Sequence, residues 1–300
     1  MKTHLKSKHM NLQSAMEYLM TYGWAILIIA VVLGALFQLG VFNPMTFAPK
    51  APPGACQVFR PNGPYTTSFI NLEGICSGEL PQYVAQFNGQ SYIYDPSYAP
   101  INKQPNYTIV AMVYFNSYSD TPFIYTEGVP GIVFGFKVTT SGNLSATAGY
   151  TDFVTVTSNL VVPLNKWTFV ALTLKNGGIN TGTATFYVGT QNQSLSFQEE
   201  NNSNVHYLGI GFNTGYFGGQ SFQQLYGLIA NVQIYNTSLS ANEIQALYLE
   251  GIGGAPINLQ HLVGWWPLNG NANDYSGNGN NCQASNVNYV SNWYSGYTPP

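Results

Sequence analysis

Residues 13–42, QSAMEYLMTYGWAILIIAVVLGALFQLGVF, constrain the fold of this chain more than any other stretch. No residue from Tyr18 to Pro49 is charged, and one carboxylate, Glu17, stands five residues into the segment. The run from Leu19 to Phe42 covers about 24 residues, enough to span a bilayer as a helix. Asn43-Pro44 ends it, because proline disfavours a helical residue before it. Gly23, Gly34 and Gly40 lower intrinsic helicity but allow close helix approach. An unpaired charge within an apolar layer costs several kcal/mol. Glu17 therefore has no use in a plain anchor, whereas a helix docking beside a positive chain end does have a use for it. Lys2, Lys6 and Lys8 make the preceding twelve residues a basic leader. No A-x-A site follows the apolar run, so it does not read as a secretory signal cut off behind its apolar core.

Charge is scarce elsewhere as well. Charged residues make up 7% of the chain, against roughly 25% in an ordinary soluble domain. Asn, Gln, Ser, Thr, Gly and Tyr take the polar role instead. The 15% aromatic content rules out a disordered composition, since these side chains can bury surface. Residues 13–300 keep six of the nine basic residues and all twelve acidic ones, a balance of −6. With no basic stripe and no interleaved aromatic patch, nucleic acid is excluded as a partner.

Residues 45–80 are rich in loop signals, with APPGAC and RPNGPY as breakers. Cys56 and Cys76 enclose this Pro/Gly-rich loop and form the candidate disulfide; the alternative is two reduced, buried thiols. Cys282 is left over as a small packed residue. No CxxC or Cys/His cluster exists, which argues against zinc. Five Asn-x-Ser/Thr sequons, at Asn106, Asn143, Asn192, Asn201 and Asn236, fit an exported and glycosylated surface.

From Tyr83 onward the chain reads as short strands between turns. YVAQFNG, YTIVAMVYF, GIVFGFKVT, WTFVALTL, TATFYVG and YLGIGF are dominated by β-branched and aromatic residues. Asn88-Gly89 and Asn176-Gly177 mark turns. Many short strands with one late helix predict an all-β sandwich. The helix is SLSANEIQALYLEG, with Ser240 as N-cap, Glu243 three residues on, and Gly251 closing it.

Gln13, Ser14, Ala15, Met16, Glu17, Tyr18 and Leu19 resemble the archaeal class III signal peptide of type IV pilin-like proteins. The resemblance covers residues 1 to about 44. It implies cleavage by a prepilin peptidase between Leu12 and Gln13, leaving Glu17 at position +5. It also implies a helix kept on the mature chain as the core of a self-assembled filament, built by a pilus assembly machinery from a membrane-inserted precursor. Two positions depart from the family pattern: Leu12 stands where a small residue is usual, and Ser14 lies one place early. Cleavage exposes an amine at Gln13, one helical turn from Glu17. Breaking a buried pair of that kind costs about 3–5 kcal/mol, enough to set register between subunits. The alternative is a signal anchor with Glu17 at the headgroup interface.

LNKWTFVALTLKNG, TATFYVGTQ and YGLIANVQIYNTSLSANEIQALYLEG resemble the laminin-G-like, or concanavalin-A-like, jelly-roll family. YVAQFNGQSYI matches its early strand. GWWPLNGNANDYSGNGNN, Gly264 to Asn281, matches the segment with which that family begins, yet here it follows the closing strand and helix. The 39 residues from 262 onward are too few for a second jelly roll. A circular permutation, with the C-terminal strand pairing back into the same sandwich, is expected instead. The fold class is therefore mainly β: an N-terminal hydrophobic α-helix followed by a circularly permuted jelly-roll β-sandwich. The expected divisions are a leader at 1–12, a pilin-like helix at 13–44, a linker at 45–80 and the jelly roll at 81–300.

No catalytic set is visible. A jelly-roll glycosidase needs two carboxylates on either side of the scissile bond, and Glu199-Glu200 are adjacent in a polar loop where their side chains point apart. The resemblance implies a calcium contribution from Asp274 to Asn278, although Ala230-Asn231 stand where relatives carry acids. The other reading of Asp274 is a turn cap bonded to nearby backbone N–H groups. Trp265 and Trp266 point to opposite faces of a strand, one into the core and the other under a loop or out as a stacking platform. The expected role is a cell-surface filament subunit, not an enzyme, whose jelly roll contacts a glycan or another cell. The alternative is a membrane-anchored lectin-like protein that does not polymerise.

Overall fold

The structure, a computed structural model, describes residues 22–36, 80–101, 104–118, 122–129, 132–149, 154–177, 182–197, 207–213 and 225–300. Leu12, Gln13, Glu17, Cys56, Cys76 and Asn201 lie outside them. The chain divides into two compact units, Met1–Lys50 and Ala51–Pro300.

The described part of the first unit is one helix, α1, over residues 22–36. Its side chains are apolar on every side: Trp24, Ile26, Leu27, Ile28, Ile29 and Val31 are all more than half exposed. The sequence predicts a membrane-spanning helix from Leu19 to Phe42. The described helix has 15 residues, and among the described residues no helix is long and apolar enough to cross a membrane.

The second unit is a sandwich of two antiparallel sheets whose strands are numbered along the chain. The first sheet runs β10 (Gln191–Phe197), β9 (Gly182–Val188), β8 (Thr168–Lys175), β3 (Tyr107–Phe115), β12 (Tyr226–Tyr235), β1 (Val84–Asn88) and β15 (Asn288–Val290). A further strand, β13 (Leu262–Trp266), also pairs with β12. The second sheet runs β14 (Gln283–Ser285), β2 (Tyr92–Asp95), β11 (Tyr207–Ile210), β4 (Phe123–Val129), β5 (Ile132–Val138), β6 (Asn143–Gly149) and β7 (Val154–Val161).

Two apolar layers follow from the alternation of side chains along each strand. Between the sheets lie Ile109, Ala111, Val113 and Phe115 of β3, Val170 and Leu172 of β8, and Phe134 and Phe136 of β5. On the outer face of the first sheet lie Val110, Met112, Phe169 and Ala171, covered by a helix and the C-terminal residues. The central strands are thus buried on both faces. This is why YTIVAMVYF and TFVALTL read as unbroken apolar runs and not as alternating ones.

That covering helix, α2 (Ala241–Glu250), is set by local sequence. Ser240 accepts a hydrogen bond from the Glu243 amide, and the Glu243 carboxylate accepts one from the Ser240 amide at 2.8 Å, a reciprocal capping box. Ile244 and Leu247 face the sheet, and Gly251 ends the helix at φ 74°. The bonds from Ser240 hold the Glu243 carboxyl below its usual range. A depressed carboxylate stabilises the fold above its unfolded pKa, and this is lost as pH falls through the folded value. Ser240→Ala is expected to cost about 1 kcal/mol at neutral pH by urea unfolding. The difference from wild type should shrink in acid.

The chain end closes the domain. In β13, Trp266 pairs with Val232, and β13 sits end to end with β1 along β12. β14 pairs with β2 in one sheet and β15 with β1 in the other, so residues 283–290 cross from one sheet to the other along one side. On the opposite side β10 and β7 are the edges, tied by the Gln193 side chain, whose carbonyl accepts from the Asn159 amide at 2.6 Å.

Candidate functional site

Among the described residues a groove of about 480 Å³ lies on the outer face of the first sheet. Phe169 of β8 points outward by alternation and, with Trp167 just before the strand, forms the floor; both are buried. One wall is Tyr248 of α2, whose ring meets Phe169 edge to face at 5.8 Å between centroids. The other is the C-terminal strap, held where the Trp167 amide donates to the Gly296 carbonyl and the Trp167 indole to the Trp293 carbonyl, both at 2.9 Å. Tyr297 stands on this strap, and burial raises its hydroxyl pKa. Gly251 (φ 74°) lies so near it that an added Cβ would sit 2.8 Å from the Tyr297 hydroxyl.

The rim is polar and nearly uncharged. Thr190 comes from the β9–β10 turn, Gln191 from the start of β10, Thr298 from the strap, and Lys166 from the loop before β8. Lys166 is the only charged side chain among the described lining residues; no Asp or Glu lines the groove, and the main-chain carboxylate of Pro300 is the one anionic group there. The groove therefore has aromatic surface and neutral hydrogen-bonding groups, without the acid pair that glycoside hydrolysis requires.

Asp274 lies elsewhere, in the loop after β13, and is buried. Its Oδ1 accepts from the Trp265 amide at 3.0 Å and the Ser276 amide at 2.8 Å. Its Oδ2 accepts from the Ser276 hydroxyl at 2.8 Å and the Asn280 amide at 2.9 Å. Four donors fill the lone-pair sites of the carboxylate. A cation needs those lone pairs, so Asp274 in this geometry does not fit calcium; it does fit the turn-capping reading. Asn231 is also engaged, accepting from the Trp265 indole at 2.8 Å and donating to the Gly254 carbonyl at 2.9 Å. Among the described residues no group of three His, Cys, Asp or Glu side chains is arranged to hold a metal. The other buried acids are bonded too. Glu127 accepts from the Ile101 amide at 2.9 Å and the Tyr125 hydroxyl at 2.5 Å, and Asp95 accepts from both the amide and the hydroxyl of Ser97 at 2.9 Å.

Neither tryptophan of the Trp265-Trp266 pair is an exposed platform. Trp266 is fully buried between the sheets, and Trp265 is buried on the outer face. Cys282 is a buried free thiol, pushed up by burial. The described sequons differ in availability. Asn192 on β10 and Asn236 after β12 are exposed, the latter hydrogen-bonded to His261 Nδ1 at 3.0 Å. Asn106 and Asn143 are half-buried, and Asn106 accepts from the Asn176 amide at 2.9 Å. Sequence reasoning missed the groove because its lining comes from β3, the stretch from Val161 to Phe169 leading into β8, the β9–β10 connection, α2 with the Gly251 that ends it, and the chain end.

A two-sheet antiparallel sandwich with a buried middle and a helix on one outer face defines a lectin-like class of domain. The family model of the concanavalin A-like lectin/glucanases superfamily matches residues 87–245. The chain belongs to that superfamily. No curated protein matches it. Among solved structures it is similar to a protein of Bacteroides ovatus ATCC 8483 assigned as carbohydrate-binding, at 16% identity and a TM-score of 0.53, over 71% of this chain and 60% of that one. It is also similar to the CBM40 of Ruminococcus gnavus IT-sialidase bound to α2,3-sialyllactose, at 17% identity and a TM-score of 0.44, over 54% of this chain and 96% of that one. At these identities the likeness is one of fold.

Proposed function

We propose that the chain is a subunit of an archaeal type IV pilus-like surface filament, with its lectin-like sandwich displayed for adhesion or glycan contact. The observation that carries this is α1, residues 22–36, which presents apolar side chains around its whole circumference. A helix apolar on all sides requires burial on all sides, and a core of parallel copies supplies it. The Gln13–Leu19 motif supports the same reading: a new amine at Gln13 would pair with Glu17 as the helices assemble. The pairing of β13, β14 and β15 into both sheets supports a circularly permuted jelly roll. Glycan contact is supported by the aromatic groove with its uncharged rim. The lack of an Asp or Glu pair in that lining favours binding over hydrolysis.

N-terminal sequencing of the mature protein, with electron microscopy of sheared cell-surface material, tests this. Filaments whose subunit begins at Gln13 are the expected result. Met1 intact on the mature protein overturns the processing, and a mature chain found only in membranes without filaments supports the non-polymerising anchored lectin instead.

A further inference from the structure

We infer that the outer-face groove of the first sheet is an oligosaccharide site, and that its ligand is a neutral glycan laid between Tyr248 and Tyr297. The inference rests on the proposed glycan contact and assigns it a place. A pyranose ring has an apolar face of C–H groups and a rim of hydroxyls. It therefore suits a site pairing aromatic surface with neutral donors and acceptors. The groove has that pairing: Tyr248 and Tyr297 are half-buried, each leaving part of its surface to solvent over the buried floor of Trp167 and Phe169. The Tyr248 hydroxyl has no protein partner among the described residues. Gln191, Thr190 and Thr298 are exposed on the rim and free to meet sugar hydroxyls. The volume, about 480 Å³, lies within the roughly 300–1,000 Å³ usual for small-ligand sites.

Charge narrows the class further. The lining has no Asp or Glu side chain, and its two charges, the Lys166 ammonium and the main-chain carboxylate of Pro300, are of opposite sign, so the groove has no net charge with which to select an amino sugar or a basic peptide. Lys166 alone, exposed at the rim, does not form the cluster that recognises polyanions. Neutral hexose and N-acetylhexosamine chains are what remains.

Gly189 offers a test that adds mass instead of removing it. It has φ 57°, its amide donates to the Phe169 carbonyl at 2.9 Å, and an added Cβ would lie 3.9 Å from the Tyr248 ring. Asparagine tolerates this backbone conformation, so Gly189→Asn narrows the groove mouth without breaking the turn.

The experiment is calorimetric titration of the full chain in detergent with maltotriose, cellotriose and chitotriose, preceded by an array of neutral and sialylated oligosaccharides. Wild type is expected to bind at least one neutral probe. Tyr248→Ala, Gln191→Ala and Gly189→Asn are each expected to weaken that binding tenfold or more. Tyr94→Ala, on the outer face of the second sheet, should leave it unchanged. Gln191→Ala removes only an exposed side chain, and it keeps the test valid if Tyr248→Ala lowers the melting temperature. Wild-type binding undiminished by the folded groove variants overturns the groove assignment and leaves glycan contact standing. Binding lost with Tyr94→Ala instead places the ligand on the second sheet and has the same effect. A preference for sialylated over neutral probes overturns the neutral class. A wild-type chain that binds no glycan overturns both the assignment and the glycan reading.

Discussion

A chain ending at His261 is expected to lose the cooperative unfolding transition altogether. Deleting residues 262–300 strips β12 of one of its two neighbours along Val232–Tyr235, β1 of β15, and β2 of β14. Both sheets are damaged at once. The deletion also empties two apolar layers. Trp266 and Leu268 leave the space between the sheets, while Trp265 and Trp293 leave the outer face. One of these side chains is already expensive to lose: truncating a buried Trp to Ala costs about 3–5 kcal/mol, a large share of the 5–15 kcal/mol that holds a typical domain. Trp266→Ala is therefore expected to unfold at markedly lower temperature but still cooperatively, and the truncated chain to show no transition. Circular dichroism during heating reads both. A soluble 1–261 chain that melts in one sharp step contradicts the pairing of the C-terminal strands.

Asp274→Ala is the second large effect. The carboxylate gathers the amides of Trp265, Ser276 and Asn280 and the hydroxyl of Ser276. An unsatisfied buried donor costs about 1–3 kcal/mol, and the alanine variant leaves several. The expected loss is on the order of 3 kcal/mol or more. Asp274→Asn separates shape from polarity: it keeps the size but turns one acceptor into an amide donor facing other donors, so it should be almost as damaging. An Asn variant as stable as wild type would show that the acceptors are not what matters. For the same reason the melting temperature should not change between excess calcium and excess chelator. A calcium-dependent rise would mean that the loop rearranges to free the carboxylate.

How far the sequence reveals this molecule depends on whether the decisive signal is local. Tyr107–Phe115 and Thr168–Lys175 are legible because burial on both faces leaves continuous β-branched and aromatic runs. Ser240, Glu243 and Gly251 mark the ends of α2 because caps act across three residues. The edge strands β7 and β10, VTVTSNLV and QNQSLSF, are hard to read, since most of their side chains face water and no apolar alternation is imposed. The return of β13 into the sheet was expected only through resemblance to a family. Nothing in LVGWW names β12 as its neighbour. The engagement of Asn231 with Trp265 spans 34 residues and has no local signature. The groove is less legible still, because five separate stretches of chain meet there. Gln13, Glu17, Cys56 and Cys76 lie outside the described residues, and the proposed processing and assembly rest on sequence motif and on α1.

The crossing of residues 283–290 between the two sheets has a consequence in time. Trp293 donates its indole hydrogen to the Pro81 carbonyl, 212 positions away along the chain. The first strand of the sandwich thus waits for the last residues before its edge is covered. Synthesis proceeds from the N-terminus, and long-range pairing is slow to form. A nascent chain that still lacks residues 283–293 therefore has both sheets unfinished. Such a chain has no closed sandwich to resist threading through a narrow channel, and it gains one only once residues 283–293 have arrived.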